Sequence, residues 1–275
     1  MNPHVVAPVS LPAMIGSVVT NWHLVVQLTK RDVVGRYRGS VMGLLWSFFH
    51  PLFMLAVYTF VFSVVFKARW GGPDESRAQF AVVLFAGLIV HNLFAEVINR
   101  APGLILSNAN YVKKVVFPLE VLPVVTMGSA LFHAAVSLVV LLLAFLLLNG
   151  YVHVTAVFIP LVLIPLMTAT LGVAWMLASL GVYARDVGQF VGTVTTVLLF
   201  LSPVFFPISA VPPFLQGWML LNPLTFIIEQ IRSVLIWGSA PDWSGLALYM
   251  LIALAVAWAG YAWFQRTRKG FADVL

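Results

Sequence analysis

Ionisable side chains inside an otherwise apolar chain are the first place to look for chemistry, and here they are few. His91, Glu96 and His133 fall within long apolar stretches, where an acid and histidines could pass protons along a relay. A simpler account pairs Glu96 with Arg100, one helical turn further on. One acid is little to drive a proton-coupled carrier. The remaining histidines, His4, His23, His50 and His153, are scattered and give no metal-ligand spacing. There is no cysteine, hence no disulfide, thiolate metal site or Cys nucleophile. No Gly-x-x-x-x-Gly-Lys-Ser/Thr loop occurs, and no lysine even follows a glycine, so the chain cannot cradle ATP phosphates in the usual way. His-Glu-x-x-His and Gly-x-Ser-x-Gly are absent too. No catalytic residue, cofactor or metal is expected in this chain.

Two other groups have spacing that could do physical work. Lys30, Arg31, Arg36 and Arg38 stand directly before an uncharged run, Gly39 to Phe66, with Gly35, Gly39 and Gly43 at every fourth position of the joint. Glycines so spaced allow close helix packing or a bend between two helices, and both readings stay open. Trp46, Phe49 and Phe53 fall at i, i+3 and i+7, followed by Tyr58; Phe200, Phe205 and Phe206 lie further along. Such aromatics serve as packing or headgroup-belt residues. Alternatively they wall a pathway on which flat apolar faces, such as the CH faces of sugar rings, can stack.

The elements that must position these groups are membrane spans. Hydrophobic residues make up 61% of the 275 and charged ones only 9%, where a soluble domain carries about a quarter; mean hydropathy is +1.01. The basic excess, 15 against 9, flanks apolar runs instead of forming a stripe, which argues against nucleic acid and for topology determinants beside anionic headgroups. Residues 1–13 are Pro-rich and uncharged, unlike a cleavable signal peptide.

A span needs about 20 apolar residues. The uncharged blocks predict six, near 41–66, 79–99, 121–148, 154–183, 187–206 and 245–264, with a break at the turn dipeptide Asn149-Gly150. An inside N-terminus puts Lys30, Arg31, Arg36, Arg38, Arg100, Lys113, Lys114, Arg185, Arg266, Arg268 and Lys269 in the cytoplasm, and Lys67, Arg69, Arg77 and Arg232 outside. That asymmetry obeys the positive-inside rule, and an even span count returns the C-terminal tail, 266–275, to the cytoplasm.

Three further segments do not span. Within the N-terminal region 1–38, Met14 to Val34 carries Ile15, Val18, Val19, Trp22, Val25, Val26 and Val33 at helical spacing, which predicts an interfacial helix. The loop 100–120 predicts a short basic helix bracketed by Pro102 and Pro118, either a plain surface helix or a docking element for a soluble partner. Residues 207–243 are apolar but broken by Pro212, Pro213 and Pro223, and predict short external helices that dip into the membrane and return.

The run Lys30-Arg31-Asp32 through Arg36-Tyr37-Arg38-Gly39-Ser40 to Gly43, Trp46 and Pro51 resembles the start of type-2 ABC exporter permeases for polysaccharides. So do Tyr111-Val112-Lys113-Lys114-Val115-Val116-Phe117-Pro118-Leu119-Glu120, and Ser202-Pro203-Val204-Phe205-Phe206-Pro207 followed by Asn222-Pro223-Leu224. The nearest members in pattern are the O-antigen (Wzm-like), capsule and teichoic-acid permeases. The resemblance implies an all-α membrane protein: six transmembrane helices, an N-terminal amphipathic interfacial helix, a cytoplasmic coupling helix and external re-entrant helices. It also implies a multi-pass homodimer in the bacterial cytoplasmic membrane, with two copies of a separate ATPase that binds ATP and Mg. The cargo would be polysaccharide on an undecaprenyl diphosphate lipid.

By that resemblance Ser107, Asn108, Asn110, Tyr111, Lys113 and Lys114 couple to the ATPase, and 209–237 forms part of the outer gate. Arg36, Tyr37 and Arg38 would guide the lipid diphosphate, since guanidinium matches phosphate bidentately; simple topology anchoring competes for the same residues. Trp46, Phe49, Phe53, Tyr58, Phe200, Phe205 and Phe206 would line the substrate pathway, holding sugars weakly at several sites. Alternatives are a type-2 ABC exporter of drugs or lipids, a membrane enzyme of polysaccharide assembly, and a flippase; the last two would need more external or buried charge than this chain has.

Overall fold

The computed structural model describes residues 9–65, 70, 77–113 and 117–275, and no strand occurs among them. Lys67, Arg69, Lys114, Val115 and Val116 lie outside the described residues, as do the side chains of Arg77 and Lys113.

Two helices, α1 (Leu11–Thr20) and α2 (Trp22–Arg36), stand where one interfacial helix was expected. They meet at 64°. Asn21 sits between them, its amide donating to the Ser17 carbonyl, and an Asn side chain that bonds the backbone competes with helix continuation. The expected stripe also divides. Met14, Val25 and Val33 are buried, with Leu28, against the bundle, while Ile15, Val19, Trp22 and Val26 stay exposed.

The first span is composite: a 3-10 turn at Gly43–Leu45, α3 (Trp46–Tyr58) and a π-helical stretch Thr59–Val65. Next come α4 (Arg77–Arg100), then a 3-10 turn, α5 (Leu104–Ser107) and α6 (Ala109–Lys113). α7 (Val121–Asn149) stops at Gly150, whose φ of +77° closes the helix through its N–H to the Leu146 carbonyl, the left-handed cap that favours glycine. α8 (Ile159–Tyr183) and α9 (Val187–Leu201) follow. α9 is shorter than expected because Ser202, preceding Pro203, is extended. Its 15 residues reach about 22 Å at 1.5 Å each, short of the roughly 30 Å hydrocarbon core. α10 (Pro213–Leu220), α11 (Pro223–Leu235), α12 (Trp243–Thr267) and α13 (Phe271–Val274) complete the chain. Five stretches, built on α3, α4, α7, α8 and α12, are long and apolar enough to cross a membrane, with α9 a shorter apolar helix beside them.

α4 is the axis of the bundle: 89% of its most apolar window is buried, against 11% for the first span. It packs against α7, α8, α9, α11 and the first span. Lipid tails are as apolar as Leu, so helices associate here through close packing, and small residues at crossings permit it. α8 and α12 show this most clearly, since a Cβ at Gly172 would meet the α12 backbone at Val256 and Ala257, and one at Gly260 would overlap the Gly172 carbonyl.

At the end of the bundle away from α1 and α2, the stretch 207–243 forms two short helices, α10 and α11. Each begins with a proline at its first position, and Asn222 caps α11 through the Leu224 N–H while its amide reaches Ser202 Oγ at 2.9 Å. No residue of α10 is buried, whereas eight of α11 are. Among those eight is Arg232, counted above among the cations outside the membrane. It is fully buried, donates to the Val83 and Val204 carbonyls at 3.1 Å each and to Glu229 at 2.9 Å, and lies 4.2 Å from the Trp70 ring centre. A charge removed from water needs such a full set of partners, so Arg232 fastens α11 to α4 and to the turn after α9.

Candidate functional site

The polar side chains expected to act are concentrated at the basic end, where α2 lies against α4 and α7. Arg100 grips Asp32 through both terminal nitrogens, at 2.9 and 2.8 Å, and Ser129 of α7 donates to the same carboxylate at 2.7 Å. Burial alone would push the Asp32 carboxyl up. The bonds from Arg100 and Ser129, with the charges of Arg100 and Arg36, outweigh that and hold it below the ordinary carboxylate value. One turn further along α2, Arg36 bonds Glu96 of α4 at 2.5 Å. His133 Nδ1 of α7 lies 3.1 Å from Glu96 Oε2 and 3.1 Å from the Arg36 guanidinium. The i,i+4 pair read from the sequence is therefore the lesser one: Arg100 and Glu96 are 3.8 Å apart, and each has a closer partner on another helix. Gly128 on α7 completes the contact, because a Cβ there would collide with Thr29.

His91, the other histidine read as part of a relay, faces elsewhere. Its Nε2 lies 3.0 Å from the Thr195 carbonyl of α9. Five residues separate it from Glu96, about 140° around the helix, so the two groups serve different interfaces of α4.

Of the diphosphate residues, Arg36 is thus engaged in the cluster, and Tyr37 stands edge-on to His133 at 6.2 Å. Arg38 is exposed, with no side-chain hydrogen bond or ion pair among the described residues. The joint glycines behave conformationally. Gly39 and Gly43 have φ of +85° and +50°, and at Gly35, Gly39 and Gly43 an added Cβ would meet nothing within 4 Å.

The loop 101–120 contains two short helices instead of one, because Asn108 turns its amide onto the Leu104 carbonyl and ends α5. Ser107 and Asn110 are exposed and Asn108 is half-buried. Tyr111 stacks on Phe117 at 4.3 Å and accepts a 3.0 Å hydrogen bond from Arg31, so α2 touches α6 directly. An open cleft of about 530 Å³ lies between α2 and α5 beside the start of α7, lined by Arg31, Asp32, Asn99, Arg100 and Ser107 among others.

The aromatics divide into two sets. Trp46, Phe49 and Phe53 lie exposed along the first span. Phe200 and Phe205 stack at 5.6 Å, and Phe205 stacks on Phe62 at 6.0 Å. Phe62 continues to Phe80, and Phe80 to Trp70, at 5.6 Å each. Tyr58 and Phe205 pack against the main core, and Phe206 is half-buried. Phe62, Phe80 and Trp70 were not singled out from the sequence. Ring spacing along one helix does not show which rings meet across the first span, the second span and the turn after α9.

These features define a polytopic helical membrane protein with polar latches at one end and a pair of short, proline-started helices at the other. The family model for ABC-2 type transporters matches residues 23–236, and the chain belongs to that family. It is 27% identical over 252 residues to the O-antigen export system permease protein RfbA of Myxococcus xanthus, covering 91% of this chain and 94% of that protein. An RfbA of Klebsiella pneumoniae is 24% identical over 253 residues, 92% of this chain and 95% of the relative. The capsule polysaccharide export inner-membrane protein CtrC of Neisseria meningitidis serogroup B is 25% identical over 250 residues, 88% and 90% of the two chains.

Proposed function

We propose that this chain is the membrane subunit of an ATP-driven exporter moving undecaprenyl-diphosphate-linked polysaccharide, O-antigen in particular, out across the bacterial cytoplasmic membrane. The observation that carries the reading is the similarity to O-antigen permeases across nearly the whole length of both proteins. The basic end, with α1, α2 and α13, faces the cytoplasm. Two copies assemble with two ATPase subunits, which hold ATP and Mg, and the exposed face of the loop at Ser107 and Asn110 meets the ATPase.

In this reading the chain performs no covalent step; its residues orient and transmit. Among α3, α4, α7, α8, α9 and α12, α3 and α9 have the fewest buried residues, with Trp46, Phe49, Phe53 and Phe200 exposed, and the second copy faces them across the channel. Phe200, the exposed end of the ring file, offers a flat face to sugars near the outer end, and the rings behind it hold it in place. Arg38, exposed and without a side-chain partner among the described residues, is a cation available to a diphosphate, while Arg36 holds α2 to α4. ATP-driven displacement of the loop moves α2 through the Arg31–Tyr111 contact and the Asp32–Arg100 grip.

The test is deletion of the gene in its native cells, followed by purification of a tagged copy. Loss of surface polysaccharide with lipid-linked polymer retained inside, and an ATPase recovered in equal amount, is the expected result. Normal surface polymer, or an intact permease with no ATPase, overturns the proposal. Because CtrC is similar over 88% of this chain, mass spectrometry of the retained polymer decides between O-antigen and capsule. A separate test replaces Arg38 by Gln: unchanged export with normal insertion removes its diphosphate role.

A further inference from the structure

The loop 101–120 is held from both ends by parts of the chain distant in sequence. At its start, Gly181 of α8 lets the Pro102 carbonyl approach so closely that a Cβ would overlap it. At its end, Glu120 is a junction, only 8% exposed. Its carboxylate accepts from Ser17 of α1 at 2.9 Å and from Arg268 at 3.0 Å, and its carbonyl accepts from the Trp175 indole of α8 at 2.9 Å. Underneath, Phe271 is fully buried between Phe264 and Tyr183, with ring centres at 5.5 and 6.1 Å. It belongs to one apolar cluster with Leu104, Ile105, Tyr111 and Val112 of the loop helices. Residues 266–275, read from the sequence as a plain tail, therefore close a packed layer, and α13 touches α6.

We propose that Glu120, Arg268 and Phe271 are positioning residues for transmission: α1 and the segment after α12 brace the loop, so that a push on it displaces α8 and α12 instead of flexing the loop. This rests on the reading above that the loop meets the ATPase. The physical reason is that a surface loop opens locally at little cost, whereas a carboxylate held by two charge-assisted or hydroxyl donors and a close-packed ring confine it to one arrangement. Such a brace contributes nothing to ATPase capture, which occurs on the opposite, exposed face at Ser107 and Asn110.

The experiment reconstitutes the whole complex, with the ATPase that co-purifies, in vesicles containing the lipid-linked polymer retained by the deletion strain. ATP hydrolysed and polymer translocated are measured together. Arg268→Gln and Phe271→Ala are expected to assemble and hydrolyse ATP within about twofold of the parent, while polymer moved per ATP falls about tenfold. Phe271→Leu and the swapped pair Glu120→Arg/Arg268→Glu are expected to regain most of it, which general destabilisation would not allow. Unchanged polymer per ATP in both single variants overturns the proposal. Should they fail to assemble, amide hydrogen exchange on the unmodified complex decides: slow exchange over 104–113 supports the brace, and exchange as fast as at the exposed Tyr151 and Val152 overturns it. Asn110→Arg separates the premise from the brace. If that variant captures the ATPase normally, the transmission role falls with its premise, even where exchange over 104–113 is slow.

Discussion

Replacing Asp32 by Asn should release α2 from the bundle without unfolding it. The carboxylate receives two bonds from Arg100, at 2.9 and 2.8 Å, and one from Ser129 at 2.7 Å. Its side chain is 29% exposed and that of Arg100 32%. The pair thus lies between exposed ion pairs, worth about 0.2–1 kcal/mol, and buried ones, whose breakage costs about 3–5 kcal/mol. Asparagine keeps the shape and one acceptor but loses the charge, so a cost of about 2 kcal/mol is expected. At about 1.4 kcal/mol per tenfold, local opening of α2 rises about 30-fold. Amide hydrogen exchange over 25–36 in detergent measures this directly, with Asp273→Asn, an exposed carboxylate outside the ion pairs, as the control. Arg100→Gln should match it, and the double variant should cost less than the sum. A change below about threefold over 25–36 would refute the assignment of this pair as the latch.

Four other outcomes follow from the same geometry. Gly260→Ala drives a methyl into the α8 backbone at Gly172; overpacking of about 1–3 kcal/mol should lower the detergent melting temperature by several degrees, while Gly192→Ala, in open space, should not. Gly35→Ala, inside α2 with nothing near its Cβ, should slow exchange of α2 by removing about 0.5–1 kcal/mol of glycine penalty, and Gly39→Ala, at φ +85°, should misdirect the joint and reduce export. Arg232→Met leaves the Val83 and Val204 carbonyls and Glu229 without their donor, a loss of about 3–5 kcal/mol read as failure to purify as a monodisperse protein, and Lys at this position should rescue poorly because it lacks the fork. The Asp32 carboxyl is depressed in the folded chain, so its contribution is complete above the ordinary carboxylate value near 4 and is lost as pH falls through the depressed one; the protection of α2 amides, relative to their intrinsic exchange rate at each pH, should be flat from about pH 8 to 5 and fall only below about pH 4.

The spans were legible because hydropathy is a property of segments, and the Asn149-Gly150 break because a left-handed cap has a local cause. Breaks set by one side chain were harder to see. Asn21 and Asn108 end helices by bonding a carbonyl four residues back, an action that Asn149 shares but that Asn99, which lies within α4 and accepts from Thr195, does not. The fifth span was read too long, since an apolar run from Val187 to Phe206 conceals that the residue before Pro203 leaves the helix. Aromatic spacing identified Phe200 and Phe205 but not Phe62, Phe80 or Trp70, because the file they form crosses three segments.

Charge was where sequence reading was both most useful and most incomplete. Counting cations by side gives an orientation, and treats every arginine as a free label. The folded chain sorts them by partner. Arg232 is consumed in fastening α11, Arg268 in holding Glu120, and Arg100 and Arg36 in holding α2. Only acids within reach make such sorting possible, and the chain has nine acidic residues. Asp32, Glu96 and Glu120 each sit at the basic end and each joins helices far apart in sequence. Acids contribute little to orientation, so these three act through their pairings, which tie α1, α2 and the segment after α12 to α4 and to the start of α7. Arg38, like Lys30, Arg185, Arg266 and Lys269, is exposed and has no side-chain partner among the described residues, so the cations divide into those that join helices and those that face outward.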